Sequence, residues 1–360
     1  MAEISHPDIA SNKQATETVA RGASPARILV ALSPRDRKRF FPHGTTAEGV
    51  AVDWRIANPE ELEGGNWKSL LKSYQPDIIV TAWSTPQLVD EITDADWFNV
   101  RYICNLSGSV KNLLSVDMLK RGVVVTNWGN LISASVAEHA VLLALGCARR
   151  MPVWKGIRHL KEQPRIDFIT SLQTKRLKGR SVGIHGFGQV ARELISLLQP
   201  FGVKLSAYSK PVPASMMREY DVEPCASLEA LFENNDILIE CEALTDETQG
   251  CVSRSLLERL PEDAIFINVA RGALVDEDAL ADMAEQGRLR VGLDVYAIEP
   301  LDPSSRLWDI PEVILSPHIA GPTHDIFEHC GEFALNNIRC FLNKQPLSGI
   351  VDIQSYLRSS

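Results

Sequence analysis

Short apolar runs alternate along the chain with stretches in which apolar residues recur at helical spacing. The apolar runs predict buried strands, and the helical spacing predicts amphipathic helices. This alternation occurs twice, over residues 27–127 and again over residues 181–316. Strands that alternate with helices predict parallel βαβ units and open twisted sheets. We therefore expect an α/β protein with two Rossmann-like or flavodoxin-like βαβ domains.

A long helical pattern joins the two arrays, from residue 133 to about residue 161. Its middle part, residues 136–145, is apolar nearly all round, so we expect it to be buried on several sides. Burial between the domains or against a second subunit would satisfy this pattern, and on this basis we predict a homodimer. Pro152 is expected to kink or break the helix, because proline removes a backbone hydrogen bond and clashes with the preceding turn.

A glycine fingerprint opens the second array. An apolar strand pattern at residues 181–185 leads into Gly186-x-Gly188-x-x-Ala191 and then into a helical pattern. The first glycine permits a tight turn, the second lets the backbone approach a pyrophosphate, and the small third residue lets the helix lie close to the strand. The unpaired N–H groups at the helix start would face the anion. The stretch therefore predicts nucleotide binding.

Composition and charge exclude several classes of protein. The 360 residues are enough for about two domains, and the net charge of −9 with a pI near 5.5 argues against nucleic-acid binding. Seven scattered cysteines without a CxxC pair indicate reduced thiols in a cytoplasmic protein. The apolar runs are too short to span a membrane. Residues 1–24 are polar and are predicted to form a disordered tail rather than a secretory signal, and no metal site is predicted.

Three reactive side chains follow strands of the second array. Arg271, Glu299 and His318 each come shortly after a predicted strand, and open α/β sheets bind ligands at the carboxyl ends of their strands. Arginine offers a planar fork to a carboxylate or carbonyl oxygen. Histidine can pass the proton that accompanies a hydride, and a nearby glutamate would favour its charged form. Singly, these residues could be a surface ion pair, a turn residue and a core histidine; together they predict a keto-acid reductase.

Several further motifs occur in a fixed order along the chain. They are Val136-Ala137-Glu138-His139, Leu177-Lys178-Gly179-Arg180, Leu244-Thr245-Asp246-Glu247-Thr248, Asn268-Val269-Ala270-Arg271-Gly272, Asp294-Val295-Tyr296, Glu299-Pro300-Leu301 and Ser316-Pro317-His318. In this order and spacing they resemble the D-isomer-specific 2-hydroxyacid dehydrogenase family. The resemblance covers residue 27 to about residue 343 and is far more specific than the glycine fingerprint alone.

The resemblance implies an active site in the cleft between the two domains. His318 would be the acid–base residue, Glu299 its partner and Arg271 the group that orients the substrate. Asp294 and Ala270 would hold the nicotinamide carboxamide. The substrate carboxylate would meet the loop Ser107, Gly108 and Ser109, as well as Arg271. The residues implied in cofactor binding are Val136, Gly186, Phe187, Gly188, Gln189, Val190, Ser209, Lys210, Cys241, Glu242, Ala243, Thr248, Val269, Ala270, Arg271, Asp294, His318 and Gly321.

The resemblance also implies a discontinuous substrate domain. Residues 25–125 together with residues 320–360 would form this domain, and residues 126–319 would form the dinucleotide-binding domain. The helical pattern over residues 323–343 would then return to the first array. Two residues of the substrate loop depart from the family, which commonly has glycine at Ser109 and aspartate at Lys111. Serine has less backbone freedom than glycine, and Lys111 reverses a charge, so the identity of the substrate stays open.

The choice between NAD and NADP depends on the second strand of the cofactor domain. NAD specificity usually rests on an acidic residue at the end of that strand, which binds the ribose hydroxyls. Here the strand ends in Ser209 and Lys210 without an acid. Lys210 could pair with a 2′-phosphate, whereas Glu240 and Glu242 would oppose one. Both cofactors stay open, with NADP slightly favoured.

The function predicted from the sequence is the interconversion of a 2-keto acid and a D-2-hydroxy acid by hydride transfer with NAD or NADP. Two alternatives stay open: a nucleotide-sensing scaffold or corepressor on the same fold, and oxidation of an inorganic anion such as phosphite. Because fold does not fix function, the complete set of Arg271, Glu299 and His318 is what favours an enzyme. The expected partners are a small acid and a second copy of the chain.

Overall fold

The first of two parallel sheets is formed by the N-terminal third of the chain. The computed structural model describes residues 25–44 and 52–358. The strands of this sheet are β1 Ala26–Val30, β2 Val52–Ile56, β3 Ile78–Thr81, β4 Tyr102–Asn105 and β5 Val124–Thr126. They lie in the order β2-β1-β3-β4-β5, and the adjacent strands are parallel. This is the strand order of a flavodoxin-like sheet.

The second sheet begins at the glycine fingerprint. Its strands are β6 Ser181–His185, β7 Lys204–Tyr208, β8 Glu223–Pro224, β9 Ile237–Glu240, β10 Ala264–Asn268, β11 Leu289–Leu293 and β12 Ile314–Leu315. They lie in the order β12-β11-β10-β9-β6-β7-β8, again parallel. The strand order reverses between β6 and β9, which is where doubly wound sheets bind dinucleotides. The predicted α/β fold with two such domains is confirmed.

Helices connect the strands of both sheets. The first array contains α1 Pro34–Phe40, the 3-10 helix Pro59–Leu62, α2 Gly64–Tyr74, α3 Asp90–Thr93 and α4 Val116–Lys120. The connecting segment contains α5 Ser133–Ala148, the 3-10 helix Met151–His159 and α6 Glu162–Ser171. The second array contains α7 Gln189–Leu198, α8 Ala214–Arg218, α9 Leu228–Glu233, α10 Arg254–Leu257 and α11 Glu277–Glu285, with 3-10 helices at Gln199–Phe201, Gly272–Leu274 and Arg306–Asp309. The C-terminal helices are α12 Phe327–Leu342 and α13 Ile353–Arg358.

The apolar helix α5 packs on the second sheet. It contacts α7, β10 and β11, and its small residues Ala137, Ala140 and Ala144 are buried in that contact. Ile132, just before the helix, packs against the hydrophobic cores of both sheets. The start of α5 therefore lies at the junction of the two domains.

Two of the predicted helices differ from those observed. The helix expected over residues 133–161 is wrong in its second half, because α5 ends at Ala148 and Arg150 adopts a left-handed backbone with φ +52°. Pro152 then lies in the first turn of a 3-10 helix, where its missing N–H costs nothing. The helix predicted at residues 86–92 is replaced by the shorter α3. The predicted tail at residues 1–24 lies outside the described residues.

The C-terminal helices return to the first sheet. Helix α12 contacts α1 and β4, and α13 contacts α4. The rings of Tyr102 and Phe341 stack with their centroids 4.7 Å apart, and the hydroxyl of Tyr356 donates to the carbonyl of Leu114 at 2.9 Å. These contacts support a discontinuous substrate domain, whose exact boundaries stay a prediction. Over residues 25–44 and 52–358, no helix is both long and apolar enough to cross a bilayer.

Candidate active site

A histidine and a glutamate meet beyond the ends of β11 and β12. Nδ1 of His318 lies 2.5 Å from Oε2 of Glu299, and the other carboxylate oxygen of Glu299 accepts the N–H of Tyr296 at 3.1 Å. The two side chains are 43% and 33% exposed, so a ligand can reach them. Because Nδ1 is engaged by the carboxylate, Nε2 is the ring nitrogen left to exchange a proton with a ligand.

A buried aspartate holds the turn that carries His318. Asp294 is 1% exposed, and its carboxylate accepts the N–H groups of Ile319 and Ala320 at 2.9 Å each as well as the hydroxyl of Ser316. The carbonyl of Asp294 accepts the N–H of His318 at 2.9 Å. These bonds support the left-handed backbone of His318, at φ +53°. The role of Asp294 toward a nicotinamide carboxamide stays a prediction.

The same turn is tied to helix α5. Nε2 of His139 lies 2.8 Å from the hydroxyl oxygen of Ser316, and the hydroxyl of Tyr296 donates to the carbonyl of Ser316 at 2.8 Å. A Cβ added to Gly321 would lie 3.0 Å from Cγ2 of Val136, so these two predicted cofactor residues are neighbours. The sequence prediction gave no role to His139 or Ser316, although both lie within the quoted motifs.

Arg271 is presented by a tight turn after β10. The side chain of Asn268 spans this turn, donating to the carbonyl of Arg271 and accepting the N–H of Ala270, each at 3.0 Å. A Cβ added to Gly272 would lie 1.8 Å from the carbonyl carbon of Tyr296. Only glycine permits this approach, which brings the Arg271 turn against the segment that follows β11.

The charge of Arg271 lies close enough to Glu299 for the two to interact. Burial lowers the pKa of Arg271, and the negative charge of Glu299 acts in the opposite direction. The guanidinium remains a cation at neutral pH. One end of Arg271 donates to the carbonyl of Ala270 at 2.6 Å. The three predicted catalytic residues thus share one site at the carboxyl ends of β10, β11 and β12; their catalytic roles stay predictions.

An open pocket lies beside this triad. Its volume is about 570 Å³, within the range of small-molecule sites, and its walls combine His318 and Glu299 with the apolar side chains of Leu301, Trp308, Leu315 and Pro317. The site therefore offers a proton-exchanging group next to apolar surface. No group of three or more potential metal ligands was found within the described part of the chain.

The predicted substrate loop follows β4. The side-chain amide of Asn105 donates to the carbonyl and the hydroxyl of Ser107 at 3.0 and 2.9 Å, and that of Asn127 donates to the carbonyl of Gly108 at 2.7 Å. A Cβ added to Gly108 would lie 3.1 Å from Nε1 of Trp128. The loop is therefore held from both sides, with Trp128 packed against its backbone.

The two departures in this loop are accommodated locally. The hydroxyl of Ser109 accepts the N–H of Lys111 at 3.3 Å. The ammonium of Lys111 donates to the carbonyl of Leu357 at 3.3 Å, so the reversed charge is directed at the C-terminal helix.

The fingerprint glycines form a turn that fits a pyrophosphate. Gly186 adopts φ +92°, and Gly188 is the N-cap of α7. The space that a Cβ of Gly188 would occupy is open, and no side chain caps the start of α7, so a phosphate could approach its first N–H groups. Phe187 is buried and packs against Tyr220 with the ring centroids 5.7 Å apart, which leaves only its backbone for a cofactor.

The remaining predicted cofactor residues surround this turn. The hydroxyl of Thr248 donates to the carbonyl of Ala243 at 2.6 Å and closes the loop after β9. Burial raises the pKa of the Cys241 thiol, so this residue stays in its protonated, unreactive form and contributes only packing to the groove. At the start of α7, the side chain of Gln189 donates to Glu193 at 3.3 Å, and Val190 packs on the core. Val269, beyond β10, is 7% exposed.

A buried ion pair that sequence reasoning missed lies beneath the turn. Nδ1 of His185 lies 2.7 Å from Oε2 of Glu240, and the two residues are 3% and 0% exposed. Burial opposes the charge of the imidazole, but the attraction and hydrogen bond of Glu240, helped by Glu242, raise the pKa of His185 overall. The sequence pattern that could have indicated this pair is that an ionisable residue ends each of two apolar strand patterns, His185 at the end of β6 and Glu240 at the end of β9.

Comparison with known proteins agrees with this architecture. The family model described as D-isomer specific 2-hydroxyacid dehydrogenase, NAD binding domain, matches residues 141–320. The glyoxylate reductase/hydroxypyruvate reductase of Mus musculus is 31% identical over 336 residues, which cover 90% of this chain and 98% of the relative. The glyoxylate/hydroxypyruvate reductase of Arabidopsis thaliana is 34% identical over 235 residues, covering 65% of this chain and 71% of the relative. The D-mandelate dehydrogenase structure of Rhodotorula graminis superposes with a TM-score of 0.76–0.78 at 20% identity, over 91% of this chain and 98% of that one.

The fold and the family match together define a dinucleotide-dependent oxidoreductase of two α/β domains. The chain belongs to the D-isomer specific 2-hydroxyacid dehydrogenase family. The predicted family, and with it the interconversion of 2-keto and 2-hydroxy acids, is confirmed.

Proposed function

We propose that this protein reduces a small 2-keto acid to the D-2-hydroxy acid, with His318 as the acid–base residue. The observation that carries the proposal is the 2.5 Å contact between His318 and Glu299 beside the cation of Arg271. A nicotinamide dinucleotide, when bound, supplies the hydride to the carbonyl carbon. His318 gives the proton on Nε2 to the carbonyl oxygen and is left as neutral imidazole, which takes a proton from solvent before the next turnover.

Arg271 and the substrate loop would hold the carboxylate of the substrate. The planar guanidinium can donate to a carboxylate and to the neighbouring carbonyl oxygen at once. The backbone N–H groups of Gly108 and Ser109 would meet the same carboxylate from the first domain. Residues of both domains would therefore fix which face of the carbonyl the hydride reaches.

The relatives suggest the size of the substrate. Both enzymes of Mus musculus and Arabidopsis thaliana are named for glyoxylate and hydroxypyruvate, and we propose these two keto acids as substrates. The test is the loss of reduced nicotinamide absorbance with glyoxylate, hydroxypyruvate, pyruvate and a bulkier aromatic keto acid. Phosphite with the oxidised cofactor belongs in the same panel. Turnover of one or both small keto acids is expected; binding of the dinucleotide without turnover of any acid would favour a sensing scaffold instead.

The dinucleotide is proposed to be NAD or NADP bound across β6 and β9. The slight preference for NADP that the sequence suggested depends on Lys210. Its ammonium lies 3.2 Å from Oε2 of Glu247, and both side chains are 78% exposed. The pairing gives Lys210 a partner other than a phosphate, so this residue alone does not decide the question.

We also propose a homodimer whose interface includes exposed apolar side chains within residues 142–169. Leu142, Trp154, Ile166 and Ile169 are between 48% and 54% exposed there. Large apolar patches on a protein surface mark interaction sites. Size-exclusion chromatography with light scattering should give a dimer, and Ile166→Glu with Ile169→Glu should give a monomer.

A cytoplasmic location is proposed from the state of the cysteines. All seven are free thiols, as expected in a reducing compartment: Cys104, Cys147, Cys225, Cys241, Cys251, Cys330 and Cys340.

A further inference from the structure

The end of β7 lacks the acid that normally binds the adenosine ribose, but a carboxylate from another strand reaches it. The acid is expected about 20 residues beyond the fingerprint, where this chain has Ser209. Ser209 is 6% exposed, and its hydroxyl donates to Oε2 of Glu242 at 3.0 Å. Glu242 belongs to the segment after β9, so its side chain crosses the end of β6 to reach β7.

The crossing is possible because of the first fingerprint glycine. A Cβ added to Gly186 would lie 2.7 Å from both Cα and N of Glu242. The backbone of Glu242 therefore lies directly against the turn that faces the pyrophosphate. Any side chain at residue 186 would displace it. Gly186 thus supports two features at once, the tight turn and the position of this carboxylate.

The buried ion pair beneath the turn fixes the backbone of Glu242. Oε1 of Glu240 accepts the N–H of Glu242 at 2.8 Å, while Oε2 of Glu240 is held by His185 at 2.7 Å. Oε1 of Glu242 accepts the N–H of Ala243 at 2.9 Å. A carboxylate has about four acceptor sites, so these bonds orient the side chain of Glu242 and leave capacity for a ligand hydroxyl.

The charges around this position disfavour an additional phosphate. Lys210, the residue that could have paired with a 2′-phosphate, lies 3.2 Å from Glu247. Glu242 lies between the glycine turn and Ser209, where the ribose of a dinucleotide is expected. A hydroxyl could donate to this carboxylate, whereas a 2′-phosphate would bring about two further negative charges against it.

We propose that Glu242 is the residue that selects the cofactor: it accepts a hydrogen bond from the ribose of NAD and repels the 2′-phosphate of NADP. The inference rests on the proposed function, since it assumes that the groove binds a nicotinamide dinucleotide. Ser209 and the His185–Glu240 pair are positioning residues that act through Glu242. The geometry therefore favours NAD, although the sequence alone slightly favoured NADP.

The test measures the dissociation constants of NADH and NADPH by nicotinamide fluorescence, without any keto acid. The wild-type protein should bind NADH more tightly. Glu242→Gln should weaken NADH binding by about tenfold or more, the size of a lost hydrogen bond to a charged group, while NADPH binding improves. Glu247→Gln is the matched control: it removes an exposed carboxylate near Lys210 and should leave NADH binding within about twofold, because an exposed ion pair contributes little.

Ser209→Ala provides a second variant should Glu242→Gln fold poorly, and it should reduce the preference for NADH in the same direction. Tighter binding of NADPH by the wild-type protein would overturn the inference, as would equal weakening of both dinucleotides by Glu242→Gln. Those results would leave the proposed reductase function standing. If neither dinucleotide bound to the wild-type protein, the proposed function would fail together with the inference.

Discussion

Oε2 of Glu299 lies 2.5 Å from Nδ1 of His318, and this contact sets the orientation of the imidazole toward the substrate site. A carboxylate on Nδ1 fixes the tautomer and leaves Nε2 to act. The remaining oxygen of Glu299 is bound by the backbone N–H of Tyr296 at 3.1 Å, so the carboxylate itself is anchored. Glu299 also lies near the charge of Arg271. Glu299 therefore contacts the proposed proton donor, His318, and also lies near Arg271, the cation proposed to bind the carboxylate of the substrate.

Replacing the proposed proton donor should lower turnover far more than it weakens cofactor binding, because His318 would reach the cofactor only at the nicotinamide end. His318→Ala should lower kcat for glyoxylate or hydroxypyruvate by about 10²–10⁴-fold, the usual contribution of general acid–base catalysis. Glu299→Gln should have a smaller effect, because an amide can still hold the ring without its charge. Steady-state kinetics measures the first result, and NADH binding monitored by fluorescence provides the control. Wild-type kcat in His318→Ala would refute the assigned role.

Substitutions of Arg271 should distinguish the contribution of its positive charge from that of its planar shape. Arg271→Lys keeps a cation but loses the planar fork that matches a carboxylate. We expect kcat/KM for the keto acid to fall by about tenfold or more in Arg271→Lys, and further in Arg271→Ala. Arg254→Lys is a matched control, since Arg254 forms an exposed ion pair with Asp282 and should leave kcat/KM unchanged. An unaltered kcat/KM in Arg271→Lys would show that the charge alone suffices.

The elements that the sequence predicted correctly are those specified by local patterns. Apolar runs predicted the central strands, such as β6, because these are buried on both faces of their sheet. The glycine spacing predicted the turn before α7 because the turn conformation depends on those residues themselves. The end of α5 was not predictable in this way. Residues 149–161 continue the helical spacing, and Pro152 predicted a kink or break within them, but the helix already ends at Ala148, before the left-handed backbone of Arg150.

Relationships between distant residues were beyond the reach of sequence patterns. His185 and Glu240 are far apart in the chain, and they face each other only because β6 and β9 pair in the register that aligns them. The same applies to Glu242, whose reach to Ser209 depends on the order β9-β6-β7. The three proposed catalytic residues could be named from sequence because each follows its own strand within a few residues.

The carboxylate that supports the His318 turn should be important for stability as well as activity. Asp294→Ala removes the buried acceptor for the N–H groups of Ile319 and Ala320 and for the hydroxyl of Ser316. A buried donor without a partner costs about 1–3 kcal/mol. We therefore expect urea unfolding to show a free energy of unfolding lower by at least about 2 kcal/mol.

The activity of Asp294→Ala should fall too, because the backbone of His318 would no longer be held. Asp302→Ala is the matched control: Asp302 is an exposed acid bonded to Ser304 in a surface turn, and its replacement should leave unfolding and turnover unchanged. Equal unfolding curves for Asp294→Ala and the wild-type protein would contradict the supporting role of Asp294.

The buried His185–Glu240 pair should make stability depend on pH with a definite sign. The pKa of His185 is raised in the folded protein despite its burial, because of Glu240. The contribution of His185 is therefore fully present below the unfolded pKa of about 6.5 and is lost as the pH rises through the higher folded pKa. We expect the free energy of unfolding of the wild-type protein, relative to the double variant His185→Leu/Glu240→Leu, to decrease as the pH rises above about 6.5. Urea unfolding at a series of pH values measures this difference, and a difference that stayed constant or increased with pH would show that the imidazole is not charged in the folded protein.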